Sequence, residues 1–182
     1  PTGAGFLVPP SNIVNTVPAN RCVFVTSANV DDLDEIDRKI LTILQADGRA
    51  ALSEIARRLD MGTATIHERV DSLEEDGYIR EYRAILDPEL LGVNEVAFIA
   101  VHTEPGRFSA VAERMAEDPA LQEIHEVTGE ADLLVKIRVR NRSELTDALA
   151  DLGAYEGVEA TETKVALRSV KEEQKIQVSD DE

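Results

Sequence analysis

The chain has 182 residues, with 19 Lys or Arg against 36 Asp or Glu, a formal charge of −17, and 43% hydrophobic but only 4% aromatic content. That length and apolar share suffice for one medium core or two small ones, which excludes disorder throughout. No apolar run approaches the ~20 residues of a membrane-spanning helix, and Cys22 alone offers neither an internal disulfide nor a zinc-ligand spacing, so a cytoplasmic chain with no metal, no cofactor and no membrane attachment is expected.

In chain order, residues 1–30 carry Arg21 and no acidic side chain, with Pro at four positions and no sustained period. They read as a disordered or mis-annotated N-terminal extension, with Val30 as the expected initiator. Residues 31–88 hold eight basic and fifteen acidic residues, and residues 89–182 hold ten and twenty-one. So acidic a surface with few Lys points to a protein that works in high salt, where carboxylates keep it hydrated, and a halophilic source is expected.

A pattern begins at Asp31. Asp32 and Glu35 have capping-box spacing, Ile36, Ile40, Ile43 and Leu44 form a helical stripe, and Asp47-Gly48 is expected to stop the helix with Gly48 at positive φ. Leu52, Ile55, Ala56 and Leu59 then mark a second helix and Ile66, Val70 and Leu73 a third, each at 3.6-residue periodicity. Between them, Asp60 can take the left-handed region, Met61 can plug the corner and Gly62 can serve as N-cap. Two helices across such a corner are a helix-turn-helix, whose second helix lies in the major groove of DNA.

A helical hairpin built only for packing has the same apolar pattern. The third helix departs from it by projecting Thr63, Ala64, Thr65, His67, Glu68 and Arg69, a largely polar face suited to base edges and phosphates. Residues 48–70 set Arg49, Arg57, Arg58 and Arg69 against Glu54, Asp60 and Glu68, so this unit is spared the surrounding acidity. Gly77 closes the helix, and residues 78–86 alternate as an extended, wing-like linker ending at Asp87-Pro88. Arg57, Arg58, Arg80 and Arg83 are the candidates to hold phosphate.

At this point DEIDRKILTILQADGRA, EIARRLDM, IHERVDSLEEDGYI and LDPELLG together resemble the Lrp/AsnC regulators, the leucine-responsive or feast/famine proteins of bacteria and archaea. The likeness runs from about Asp31 to about Gln174. Gly62 stands where the family usually has an N-cap Ser and Asp60 where it often has Gly, exchanges that capping physics tolerates. The resemblance implies an α+β chain, with an N-terminal winged helix-turn-helix domain followed by a ferredoxin-like βαββαβ domain that dimerises and often senses an amino acid.

The second half has its own pattern for that order. Residues 95–103 read as a strand, 108–117 as a helix, 121–128 as a strand, 131–140 as a strand with Leu133, Val135, Ile137 and Val139 on one face, a helix capped by Asn141, and a last strand over 158–170. Both helices belong on one sheet face. Ala97, Ile99, Val101 and Leu134 are expected on the other, covered by a second subunit.

The domains expected are 31–88 for DNA binding, 89–175 for dimerisation and sensing, and 176–182 as an acidic tail. Thr128, Gly129, Glu130, Ala131 and Asp132 match the family's Gly-x-x-Asp loop, where the resemblance implies amino-acid binding at a subunit interface. The same five residues also read as a plain Gly-containing hairpin turn whose Asp132 bonds backbone. His102 and His125 read as packed or interface residues. The expected whole is a non-enzymatic homodimer, open to higher assembly, that presents two recognition helices to a pseudo-palindromic promoter site in double-stranded DNA. A two-domain tetrapyrrole (sirohaem) decarboxylase of the same architecture is the alternative, set back by the low aromatic content.

Overall fold

A computed structural model describes residues 32–178, so the expectations for residues 1–30 and for the end of the acidic tail lie outside it. Three helices come first, α1 (Glu35–Ala46), α2 (Leu52–Leu59) and α3 (Thr63–Glu75). Their apolar stripes meet in one cluster in which Ile40, Ile55 and Ile66 are fully buried, each worth roughly 1.5–3 kcal/mol relative to exposure. The capping box of α1 lies two residues later than expected: Asp34 accepts from the Asp37 amide, and the Asp37 carboxylate accepts from the Asp34 amide. The run DDLDEID offers several registers, and the one that buries Leu33 against the cluster is adopted. Gly48 does not take positive φ. Asp47 caps α1 in an extended conformation instead, its amide bonding the Ile43 carbonyl.

The α2–α3 corner follows the sequence closely. Asp60 sits in the left-handed region (φ 54°, ψ 46°), Met61 packs against the cluster, and Gly62 caps α3 in an extended conformation. Gly77 takes φ 81° and ends α3. Residues 79–87 form no helix and pair with no strand among the described residues, so the wing is an unpaired linker here. Tyr82 fixes it to α3 by donating its hydroxyl to Glu74 at 2.9 Å, and burial pushes its pKa up to about 12.

The second unit runs β1 (Glu95–Thr103), α4 (Phe108–Met115), β2 (Leu121–Glu126), β3 (Leu133–Val139), α5 (Arg142–Ala154) and β4 (Val158–Val165). The four strands form an antiparallel sheet in the order β2-β3-β1-β4, the arrangement expected of βαββαβ. The α5 cap is as expected, with the Asn141 side chain accepting from the Ser143 and Glu144 amides. Strands β2, β3 and β4 and helix α4 stop short of the bounds expected for them.

One expectation is reversed. Ala97, Ile99 and Val101 face the helices, packed with Val111, Met115, Leu133, Val135, Ile137 and Leu152. The register of β1 on β3 pairs Phe98 with Lys136 and Ala100 with Leu134, so the outer face carries Phe98, Ala100 and Leu134. Only Leu134 was placed correctly.

Beyond β4 the chain does not leave as a free tail. Glu172 reaches Lys136 at 3.4 Å and Arg138 at 2.5 Å, both on β3, so the chain has crossed the outer face of β1, where Val96 is 2% exposed. Gln174 then accepts from Arg83, and Gln45 of α1 makes reciprocal hydrogen bonds with the Ile176 backbone at 3.0 and 2.7 Å. Val178 packs against the three-helix cluster. Residues 166–178 are thus a strap from the sheet to the helices.

Candidate nucleic-acid interface

The buried side of α3 is Ile66, Val70 and Leu73. At 100° per residue the opposite side is centred on Ala64, Glu68 and Asp71, with His67 on one flank and Thr65 and Ser72 on the other. Thr63, Ala64, Thr65, His67 and Glu68 are all exposed on the first turns after the corner. That is where a helix-turn-helix meets base edges.

Arg69 is placed differently from its neighbours. It sits beside the buried stripe, and its Nη1 donates to Asp34 and Asp37 of α1, both at 2.7 Å, leaving its side chain 30% exposed. These bonds raise the Arg69 pKa, and Arg69 helps hold Asp34 below the usual carboxylate range alongside the larger effect of the Asp37 amide. Arg69 is a strut between α3 and the α1 cap. Around it lies an open hollow lined by Asp32, Asp37, Thr65, Glu68, Arg69, Asp76 and other residues, too acidic for a phosphate.

The phosphate candidates are also engaged. Arg57 grips Glu54 through two bonds of 2.9 and 2.7 Å and Arg58 adds a third of 2.9 Å, which together bring Glu54 down to about 2. Both guanidinium groups remain solvent-facing, at 74% and 51% side-chain exposure. Arg83 lies 3.3 Å from Glu81 and bonds Gln174. Arg80 is exposed, and no carboxylate lies within salt-bridge distance of it among the described residues.

In the second unit, Thr128, Gly129 and Glu130 are exposed and Ala131 and Asp132 are half-buried. Gly129 takes φ 127°, a conformation that excludes most side chains. The Asp132 carboxylate accepts from the Thr103 amide at 2.7 Å and the Thr103 hydroxyl at 3.0 Å, bonds that hold it below the usual carboxylate range. Its amide donates to the Val101 carbonyl. Asp132 therefore ties the β2–β3 loop to the end of β1, a use its position in the sequence did not disclose. His102 is half-buried, and His125 is exposed, 3.6 Å from Glu123.

Two family models match this chain: winged helix-turn-helix DNA-binding over residues 33–80, and the Lrp/AsnC ligand binding domain over residues 96–176. It is 46% identical over 140 residues to the HTH-type transcriptional regulator FL11 of Pyrococcus horikoshii, covering 77% of this chain and 93% of that protein. The chain belongs to the Lrp/AsnC family. To the FL11 regulator of Pyrococcus furiosus this Lrp/AsnC protein is 42% identical over 146 residues, covering 80% of it and 97% of the relative.

Among solved structures, E. coli AsnC shares its fold, with a TM-score of 0.74 at 24% identity over 80% of this chain and 98% of that one. A transcriptional regulator from Neisseria meningitidis in complex with L-Met has a TM-score of 0.72 at 27% identity, covering 79% and 96%. This Lrp/AsnC chain is a DNA-binding transcriptional regulator and not an enzyme, which removes the decarboxylase alternative. No helix among its described residues is long and apolar enough to cross a membrane.

Proposed function

We propose that this regulator acts as a cytoplasmic homodimer that sets α3 of each copy into the major groove of a pseudo-palindromic promoter site. Thr63, Ala64, Thr65, His67 and Glu68 face the bases in this reading, and Arg57, Arg58, Arg80 and Arg83 meet phosphate. The observation that carries it is the outer side of the first two turns of α3, which no other element of the described chain covers. Footprinting on DNA selected by the protein tests it. Two protected half-sites about one helical turn apart are expected, and protection of a single half-site by a monomer would refute the dimeric arrangement.

The outer sheet face supports the dimer, because Phe98, Leu134 and Ala100 form an apolar row that a second copy would cover. These dimers assemble further into higher homo-oligomers, which sedimentation of the free protein tests: a single dimeric species at all concentrations would overturn the further assembly.

The regulator responds to a small effector such as an amino acid, and its target genes belong to amino-acid metabolism. The matched ligand-binding family model and the L-Met complex of the Neisseria relative support this. With the Asp132 carboxylate occupied by Thr103, the loop recognises an effector through the exposed amides around Gly129. Calorimetric titration with the common amino acids is expected to give heat for at least one, and silence across all of them would end the sensing claim.

A further inference from the structure

The exposed side of α3 is dominated by acceptors. Glu68 lies at its centre and its carboxylate has no hydrogen-bond or ion-pair partner among the described residues. His67 Nδ1 lies 2.7 Å from Asp71 Oδ2, one helical turn on, with both side chains more than half exposed. Arg69, the one permanently charged base on the helix, is committed to Asp34 and Asp37 on the flank facing α1. The helix therefore presents no arginine or lysine toward the groove, and those are the side chains that read guanine through its O6 and N7 acceptors.

An ionised carboxylate only accepts, so the proton shared by His67 and Asp71 belongs to Nδ1. In the neutral ring this leaves Nε2 with a lone pair pointing away from Asp71, and an unsupported histidine would be free to present either nitrogen. A groove-facing acceptor needs a donor on the base edge. In the major groove that donor is the exocyclic amino group, N6 of adenine or N4 of cytosine.

We infer that Asp71 is a positioning residue that locks His67 as an acceptor, so that α3 selects a base whose exocyclic amino group lies in the major groove, adenine or cytosine, where His67 enters, and rejects guanine, whose amino group lies in the minor groove. This rests on the proposal that α3 enters the major groove. Glu68, one residue further round the same face, has the same preference by its own chemistry. Specificity is thereby written in acceptors, while the cations that hold the backbone come from α2 and the linker.

The test is selection of binding sites from random duplex DNA by the full chain and by His67→Ala, Asp71→Ala and Asp71→Glu, in mildly alkaline buffer, with folding checked by circular dichroism. Wild type is expected to favour adenine or cytosine over guanine by about tenfold at one position of each half-site, the scale of a single mismatched pair. That preference disappears in His67→Ala, weakens in Asp71→Ala and returns in Asp71→Glu. A duplex carrying the favoured base without its amino group should bind wild type about as poorly as the guanine duplex.

Guanine at that position, a preference untouched in Asp71→Ala, or a uniform loss across all sequences in His67→Ala, the mark of a phosphate contact, would each overturn the assignment. Failure of wild type to enrich any sequence would instead defeat the placement of α3 in the groove.

Discussion

Two ionic clusters in this chain have similar chemistry and opposite situations. Arg57 and Arg58 share Glu54 on the open surface of α2, whereas Lys136 and Arg138 share Glu172 beneath the strap, at only 17% and 12% side-chain exposure. In the first, water replaces a broken bond at once, so the pair is worth little and phosphate can displace the carboxylate. In the second, losing the Glu172 carboxylate strands Arg138 against a sheet, which is costly, while Lys136 keeps Glu123 at 3.0 Å. Ion pairs on α2 are exchangeable parts, and those on β3 are fixed ones.

Arg69 tests this division most severely, because it lies on the DNA-binding domain yet is held like the second cluster. Arg69→Ala is expected to lower stability by about 1–3 kcal/mol in urea denaturation, since Asp34 and Asp37 keep their capping-box bonds but lose the guanidinium they share. DNA affinity should fall only as the folded fraction falls. A fully folded variant with weakened binding would return Arg69 to the interface. Glu172→Ala should cost about 1–2 kcal/mol by the same measurement and loosen the strap, seen as faster amide exchange at Ile176.

Smaller effects are expected at the exchangeable cluster. Glu54→Gln should leave the denaturation midpoint in place and raise DNA affinity several-fold at low salt, read by fluorescence anisotropy, because two guanidinium groups are released to phosphate. Arg57→Ala should weaken binding evenly across sequences and flatten the salt dependence by about one unit of slope. An unchanged affinity in both variants would show that α2 does not approach the backbone.

The acid side gives the finest test. The Arg57 and Arg58 guanidinium groups hold Glu54 down at about 2 against 4.5 ordinarily, so it stays ionised and paired above pH 4.5 and releases both arginines as pH falls toward 2. A carbon-detected NMR titration with its midpoint near 4.5 would mean that the cluster is not populated in solution. Asp132, also held below its ordinary 3.8, loses its hold on Thr103 as pH falls through its folded value. Asp132→Asn removes that part of the acid sensitivity.

The helices were legible because their apolar residues recur with a period that no other element shares, and the α2–α3 corner because Asp60 and Gly62 have few other uses. β3 was legible from its alternation with Lys136 and Arg138. β1 was legible as a strand, at the bounds it takes, but not in its facing, since EVAFIAVHT is apolar on both faces and period two says nothing about which side meets the helices. Its partners α4 and α5 settle that, and they lie elsewhere in the chain.

The same reason hid the role of Arg69, whose partners are more than thirty residues away. The site was half legible: the exposed start of α3 follows from its wheel, but the use of Asp132 depends on Thr103, across two strands. Ile176 and Val178 carried an overlooked signal, two apolar residues alternating in a segment read as an acidic tail.

Leu33 and Val178 meet in the same apolar cluster, so the described chain closes on itself like a clasp. An excised fragment spanning only α1 to α3 would therefore be missing part of its own wall, and would expose the end of α1 that Gln45 and Ile176 now seal. Any movement of the sheet that draws on residues 166–178 tugs at the base of the DNA-reading unit without passing through the linker.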